Sequence, residues 1–209
     1  MYIPPAFKQS DLAACHGLIE ANGFGALVSP GARASAPNAT HLPFLLDRTR
    51  GTSGTLMGHM ARANPHCEGL GAEALVIFQG PHAYVSPSWY EASPAVPTWN
   101  YLAVHAYGTP RIIDDPARVR ATLARLTEVH EAGRSAPWKF ESLPSDFLDE
   151  MARGIVAFDI SIARLEGKWK LSQNRSTADR KGVIQGLRAE GDPMSLAVAE
   201  KMAQMMDGD

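Results

Sequence analysis

The feature that most constrains this chain is the crowding of strand-like runs before any long helix. "FGALVSP" (24–30), "ATHLPFLLD" (39–47) and "TLMGHMARA" (55–63) follow one another, the last two joined by the turn-rich "RTRGTSG". "EALVIFQG" (73–80), "AYVSP" (83–87) and "NYLAVHAYGTPRII" (100–113) continue the series, with Gly108 placed to kink or bulge the longest run. Short extended segments separated by turns and not by helices predict an antiparallel meander. Parallel βαβ units would need a helix in nearly every connection.

Helices are expected only around this block. "SDLAACHGLIEANG" opens the chain, with Ser10 as N-cap, Leu12, Cys15 or His16, and Ile19 on one face, and Gly23 as the stop. "DDPARVRATLARLTEVHEAG" has Asp115 to cap, Pro116 at the first helical position, and Val119, Leu123, Leu126 and His130 along one face. A shorter helical piece follows at 145–152. "GIVAFDISIARLEGKWKLS" then alternates Phe158, Ile160 and Ile162 against Asp159 and Ser161, which predicts one strand returning to the sheet. Two final helices are expected at 177–189 and 193–206, the second opened by Asp192 and Pro193 and buried through Met194, Val198, Met202 and Met205. The pattern is a mainly β fold with α additions, one domain over 1–209, with the helices of 177–206 packed on an antiparallel barrel.

Composition narrows the function classes. With 45% hydrophobic residues in 209 the chain can bury a real core, and 20 Lys and Arg against 22 Asp and Glu give no global field for nucleic acid or an anionic membrane. Cys15 and Cys67 are too few for a disulfide framework, and no apolar run is long enough to span a membrane. "MYIPPAFKQS" lacks the basic and apolar regions of a signal peptide, so a cytoplasmic protein is expected. There is no phosphate loop and no dinucleotide fingerprint. His59, His66 and Cys67 match no closed zinc spacing, "PHCEG" reads as a turn, and "YVSPSWY" lacks a nucleophile elbow. No metal is expected.

Three donor-rich clusters remain. "HMARAN" gathers His59, Arg62 and Asn64 at a strand end, a set suited to a phosphate because guanidinium forks onto its oxygens while imidazole and amide groups serve the other acceptors; a solvated strand end explains it equally. "PTWNY" places Thr98, Trp99, Asn100 and Tyr101 where two aromatics could wall a flat heterocycle, or anchor a core or a dimer. "KLSQNR" puts Lys170, Gln173, Asn174 and Arg175 between the last strand and a helix start, an anion site or merely a cap with exposed bases.

The opening "MYIPPAF", then "THLPFLL", "GHMARANPH", "ALVIFQGPHAYVSPSWY", "VPTWNY" and "KLSQNRSTADRKGVIQGL", in that order from residue 1 to about 200, resemble the PaiB family of FMN-binding negative transcriptional regulators. The resemblance implies an FMN-binding split β-barrel, Greek-key-like and related to pyridoxamine-phosphate-oxidase-like proteins, assembled as a homodimer with flavin at the subunit interface. It assigns Thr40, His41, Leu42 and Pro43 to the isoalloxazine edge, and His59, Arg62 and Asn64 to the phosphate side. Thr98, Trp99, Asn100 and Tyr101 would reach the cofactor, and Lys170, Gln173, Asn174 and Arg175 would close the site. Catalytic residues are not selected: His41, His105 and Tyr101 are all candidate proton donors, which leaves a flavin-dependent oxidoreductase as the alternative and a haem-binding or haem-degrading split barrel as a more distant one. DNA stays a candidate partner through the basic stretch 168–188, with Lys168, Lys170, Arg175, Arg180, Lys181 and Arg188 as a phosphate-contacting face.

Overall fold

The computed structural model describes residues 1–31 and 36–207. In chain order the elements are β1 (Lys8–Gln9), α1 (Leu12–Ala21), β2 (Phe24–Ser29), β3 (Asn38–Pro43), β4 (Leu45–Asp47), β5 (Thr55–Ala61), β6 (Ala74–Val85), β7 (Thr98–Gly108) and β8 (Pro110–Ile112). They continue with α2 (Pro116–Glu131), α3 (Ser145–Arg153), β9 (Ile155–Ser161), β10 (Arg164–Lys170), α4 (Thr177–Glu190) and α5 (Pro193–Asp207). The strand registers are antiparallel, as expected, but the sheets are not a meander: β2 pairs with β6 and β5 with β9 across long stretches of chain.

The chain divides into two compact units. The first comprises Met1–Leu18, Gln79–Val104 and Glu166–Asp209; the second comprises Ile19–Phe78 and His105–Leu165. In the first, β1, β10, β7 and β6 lie side by side in that order, with Lys8 opposite Lys168. Its core is Val85, Leu102 and Val104 from strands, Leu171 just after β10, and Val183, Leu187, Val198 and Met202 from α4 and α5, all at most 2% exposed. Each such side chain contributes roughly 1.5–3 kcal/mol on burial. α4 approaches Trp89 so closely that a Cβ on Gly182 would stand 2.1 Å from the Trp89 carbonyl oxygen, and one on Gly186 2.3 Å from the indole.

In the second unit β6, β2 and β3 are neighbours, and a separate sheet runs β4, β5, β9, β8. Phe44 meets Phe78 and Phe158 edge to face at 5.7 and 6.4 Å, and all three are at most 4% exposed.

Several expected elements are redrawn. The run 39–47 is two strands: β3 pairs with β2, β4 pairs with β5, and Phe44 between them turns into the core. Pro43 is tolerated because β3 ends its sheet. The runs 73–80 and 83–87 are one strand, β6, unbroken at Pro81. The run 100–113 breaks after Gly108, where a Cβ would lie 2.4 Å from the Ser161 carbonyl oxygen, so β7 and β8 join different sheets. The single strand expected over 154–172 is two, β9 and β10, turned at Ile162 and Ala163. Asp11, not Ser10, caps α1, accepting from the amides of Ala13 and Ala14. His130 on α2 and Met194 on α5 are exposed and not buried. The caps at Asp115 and Asp192 form as expected.

Candidate functional site

In the second unit, β3 carries Thr40, His41, Leu42 and Pro43. Leu42 goes into the core, His41 is exposed and stacks on Phe24 at 6.0 Å, and Pro43 is half-buried. Thr40 faces His66, a residue that the turn reading of "PHCEG" passes over. The imidazole of His66 is 2% exposed, with Nδ1 2.8 Å from Thr40 Oγ1 and Nε2 2.8 Å from Ser29 Oγ. Asn64 donates from Nδ2 to Thr40 Oγ1 at 3.3 Å and accepts from the His66 amide at 3.0 Å, capping the turn Pro65–Gly69. Burial lowers the pKa of His66, which favours the neutral ring; its one N–H and one lone pair are matched by hydroxyls able to play either role.

His59 and Arg62 leave β5 differently. His59 is half-buried, its Nδ1 has no hydrogen-bond partner, and burial lowers its pKa. Arg62 turns to the end of α3, where Nε donates to the Arg153 carbonyl at 2.8 Å and Nη2 to the Ile155 carbonyl at 2.7 Å. The fold thus joins Thr40 and Asn64 around His66 and sends the Arg62 guanidinium to a different set of acceptors.

In the first unit the expected residues come from β7 and from the loop after β10. Lys170 Nζ donates to Thr98 Oγ1 and, at 2.6 Å, to the Trp99 carbonyl. Lys168, only 7% exposed, donates to the Tyr2 carbonyl at 3.1 Å and lies 5.1 Å from the Tyr101 ring centre. Arg175 stacks over Tyr90 at 4.5 Å. Among the described residues none of the three cations forms a salt bridge, and the one carboxylate whose charge interacts with them is Asp179, beside Arg175. Burial, followed by the charges of Lys168 and Arg175, lowers the pKa of Lys170. Partly dehydrated cations held together, with Asp179 beside one of them only, make a place where an anion is stabilised by several of them at once.

The loop that shapes this cluster is held from inside. Ser172 adopts φ 63, a left-handed conformation uncommon for a residue with a side chain. Asn100, fully buried, pins it: Nδ2 donates to Ser172 Oγ at 2.9 Å and contacts Met202 Sδ at 3.4 Å. Asn100 therefore ties β7 to the loop and to α5 and does not present its amide at a surface. Gln173 bonds the Leu171 amide and the Trp169 carbonyl, also within the loop, and Asn174 is exposed. Trp99 is 54% exposed, with Tyr84 edge-on at 6.0 Å and His82 at 6.4 Å.

Lys168 and His66 are the residues that the three-cluster reading misses. Lys168 carried a signal, since it sits two positions before Lys170 on one strand face. His66 carried none beyond its type. The buried positions of Lys168 and Arg180, at 7% and 9% exposure, withdraw two of the six bases from the expected DNA-contacting face. Among the described residues no group of His, Cys, Asp and Glu could hold a metal, and no helix is long and apolar enough to cross a membrane.

Residues 1–164 match the family described as "Putative FMN-binding domain". The chain is 36% identical over 204 residues to the protease synthase and sporulation protein PAI 2 of Bacillus subtilis (strain 168), covering 97% of this chain and 96% of that protein. It is 30% identical over 238 residues to an uncharacterized protein of Emericella nidulans, covering 95% of each. Of solved structures, the FAD and heme binding protein of Mycobacterium smegmatis aligns with TM-score 0.60 at 19% identity, over 78% of this chain and 73% of that one. The flavocytochrome Anf3 of Azotobacter vinelandii aligns with TM-score 0.58 at 14% identity, over 78% and 69%. At these identities the structures speak for the fold alone, a split β-barrel with added helices.

Proposed function

We propose, from the premise that this chain belongs to the PaiB family of FMN-binding proteins and that its cofactor is FMN, that it is a homodimeric, cytoplasmic negative transcriptional regulator whose flavin phosphate is held by Lys170 with Lys168 and Arg175. The observation that carries the phosphate assignment is the gathering of Lys170, Lys168 and Arg175 on one side of the first unit with no salt bridge to either lysine among the described residues, where burial and mutual repulsion lower the pKa of Lys170. A phosphate dianion is the charge this set lacks, and its oxygens suit the ammonium and guanidinium donors. The donor chemistry therefore fits FMN.

Of the other residues that the family assigns to flavin, Trp99 offers an exposed aromatic face and Tyr101 is half-buried beneath Lys168. Thr98 orients the Lys170 ammonium, and Asn100 acts through Ser172, holding the turn that follows Lys170. In the second unit His59 brings a buried ring nitrogen without a partner, and His41 an exposed imidazole. Bound FMN supplies a ring that exchanges one or two electrons, which is what a redox- or flavin-sensing regulator requires.

Three measurements test the reading. Titration of FMN into the protein should quench flavin fluorescence with saturation at one flavin per chain, and mass determination should give a dimer. A fragment of promoter DNA whose transcription rises on loss of the protein should be retarded by it. Failure to bind FMN rejects the cofactor site; a Soret band in the purified protein favours haem. FMN binding with rapid anaerobic reduction of the bound flavin by one equivalent of NADH or NADPH and no promoter response moves the assignment to an oxidoreductase.

A further inference from the structure

The second unit contains a cavity of about 570 Å³ that the flavin assignment does not use. It lies between α2, α3 and the sheet strands β8 and β9, and its size is within the range of roughly 300–1,000 Å³ that holds a whole small ligand. Ile113, Val156 and Ala157 form an apolar floor, each at most 6% exposed. The half-buried Ile155 and Val119 extend it toward the opening.

Three arginines and two aspartates line the same cavity, which leaves one positive charge in excess. Arg120 is neutralised by Asp149 at 2.8 Å. Arg62 is fixed by the Arg153 carbonyl at the end of α3 and the Ile155 carbonyl at the start of β9, so its guanidinium is held by neutral acceptors and, among the described residues, forms no ion pair. Among the described residues the exposed Arg153 side chain has no hydrogen bond or ion pair, and Asp114 has no ion-pair partner. One guanidinium is thus oriented and a second is free, beside an apolar floor.

We propose that this cavity binds a small amphipathic monoanion, a carboxylate with an apolar body, its head between Arg62 and Arg153 and its tail on Ile113, Val156 and Ala157. An apolar body gains from the floor, and a bidentate carboxylate is the head group that a guanidinium fork recognises most specifically. A neutral or cationic amphiphile of equal length lacks that second contribution. This proposal is independent of the proposed flavin site, in which Arg62 takes no part, and it gives the protein a place for a small-molecule effector.

The test is calorimetric titration of the full chain with decanoate, decanol and decyltrimethylammonium, repeated in saturating FMN. The expected result is decanoate binding at least tenfold more tightly than decanol, with decyltrimethylammonium weakest and the decanoate affinity unchanged by FMN. Arg153→Gln, which removes a side chain without a partner, should fold as the parent does, weaken decanoate by about tenfold or more and leave decanol unaltered. Ala152→Trp, which projects a large ring from α3 into the cavity, should abolish binding of both. Equal affinity for decanoate and decanol, unchanged decanoate binding in Arg153→Gln or Ala152→Trp, or displacement of decanoate by FMN would each overturn the proposal. Failure of FMN to bind, with decanoate binding as described, would reject the flavin site and leave this one standing.

Discussion

Replacing Lys170 by Met tests the phosphate assignment because it separates cofactor affinity from stability. The ammonium carries three hydrogens, and Thr98 Oγ1 and the Trp99 carbonyl take two of them. One remains for a phosphate oxygen. A single charge-assisted hydrogen bond is worth about 1.5–3 kcal/mol, so FMN should bind roughly 10–150-fold more weakly to Lys170→Met. The flavin-free protein should respond little: Thr98 and Trp99 lose a donor, but the repulsion from Lys168 and Arg175 is relieved and the unbranched stem is kept. The pH dependence gives a second, independent readout. The folded-state pKa of Lys170 lies below its ordinary 10.5, so the unfolded chain holds this proton more tightly than the folded one. Its contribution to the stability of flavin-free protein therefore rises with pH through the window between the lowered value and 10.5. FMN affinity moves the other way and falls as Lys170 loses the charge that attracts phosphate. Fluorescence titration from neutral to alkaline pH should show this fall in the parent, with a flatter profile in Lys170→Met. A dissociation constant within twofold of the parent at neutral pH, with parallel profiles, would refute the assignment of phosphate to Lys170.

Arg62→Ala removes two hydrogen bonds from an exposed charged donor, to the last carbonyl of α3 and the first of β9, and should cost about 1–2 kcal/mol, read as a lowered thermal midpoint; an unchanged midpoint would mean that these bonds carry no stability. His66→Leu removes the buried partner shared by the Ser29 and Thr40 hydroxyls, leaving them the Pro30 carbonyl and the Asn64 amide, and should cost about 1–3 kcal/mol in chemical denaturation, whereas no loss would deny the network its role. Burial depresses the folded-state pKa of both His59 and His66, so their contribution to stability is present above 6.5 and lost as pH falls below it toward the depressed values. His59→Phe should flatten that acid loss, and denaturation curves with the same acid slope as the parent would contradict it. Gly182→Ala should gain up to about 1 kcal/mol of helix propensity yet lose more, about 1–3 kcal/mol, to the collision with Trp89; a raised midpoint would show that α4 can shift away freely.

What could be read in the sequence is what is decided locally. A cap is a bond from a side chain to an amide two or three residues on, so Asp115 with Pro116 and Asp192 with Pro193 announced their helices. The alternation of Phe158, Ile160 and Ile162 gave the buried face of β9 for the same reason. Breaks decided by distant partners were hidden: "ISIAR" turns at Ile162 and Ala163 without a Gly, Pro or Asn, and β7 ends at Gly108 because Ser161, far along the chain, approaches its backbone. Ser10 and Asp11 are both good caps, and composition cannot choose between them.

The candidate site follows the same division, which limits what motif carry-over can do. The three donor clusters were found where they lie, but the direction of each side chain depends on acceptors dozens of residues away. Arg62 and Asn64 would share a face if the strand ran on to 63, but β5 ends at Ala61 and the turn that follows sends one to the Arg153 and Ile155 carbonyls and the other back to Thr40. Asn100 looked like a heterocycle's hydrogen-bond partner and instead holds a left-handed serine at the edge of the basic cluster. Lys168 was counted among bases for DNA and lies 7% exposed between two tyrosines. A cation cluster of this kind is self-repelling, and folding brings it together only because strand pairing, Thr98 and the Ser172 turn oppose that repulsion. Binding an anion relieves the repulsion, so saturating FMN should stabilise the parent chain by an amount that grows with the logarithm of free flavin, about 2.7 kcal/mol at a hundredfold excess over the dissociation constant. At one fixed FMN concentration Lys170→Met should forfeit up to about 1.5–3 kcal/mol of that stabilisation. If the variant is stabilised as strongly as the parent, the phosphate sits elsewhere and the cluster serves another anion.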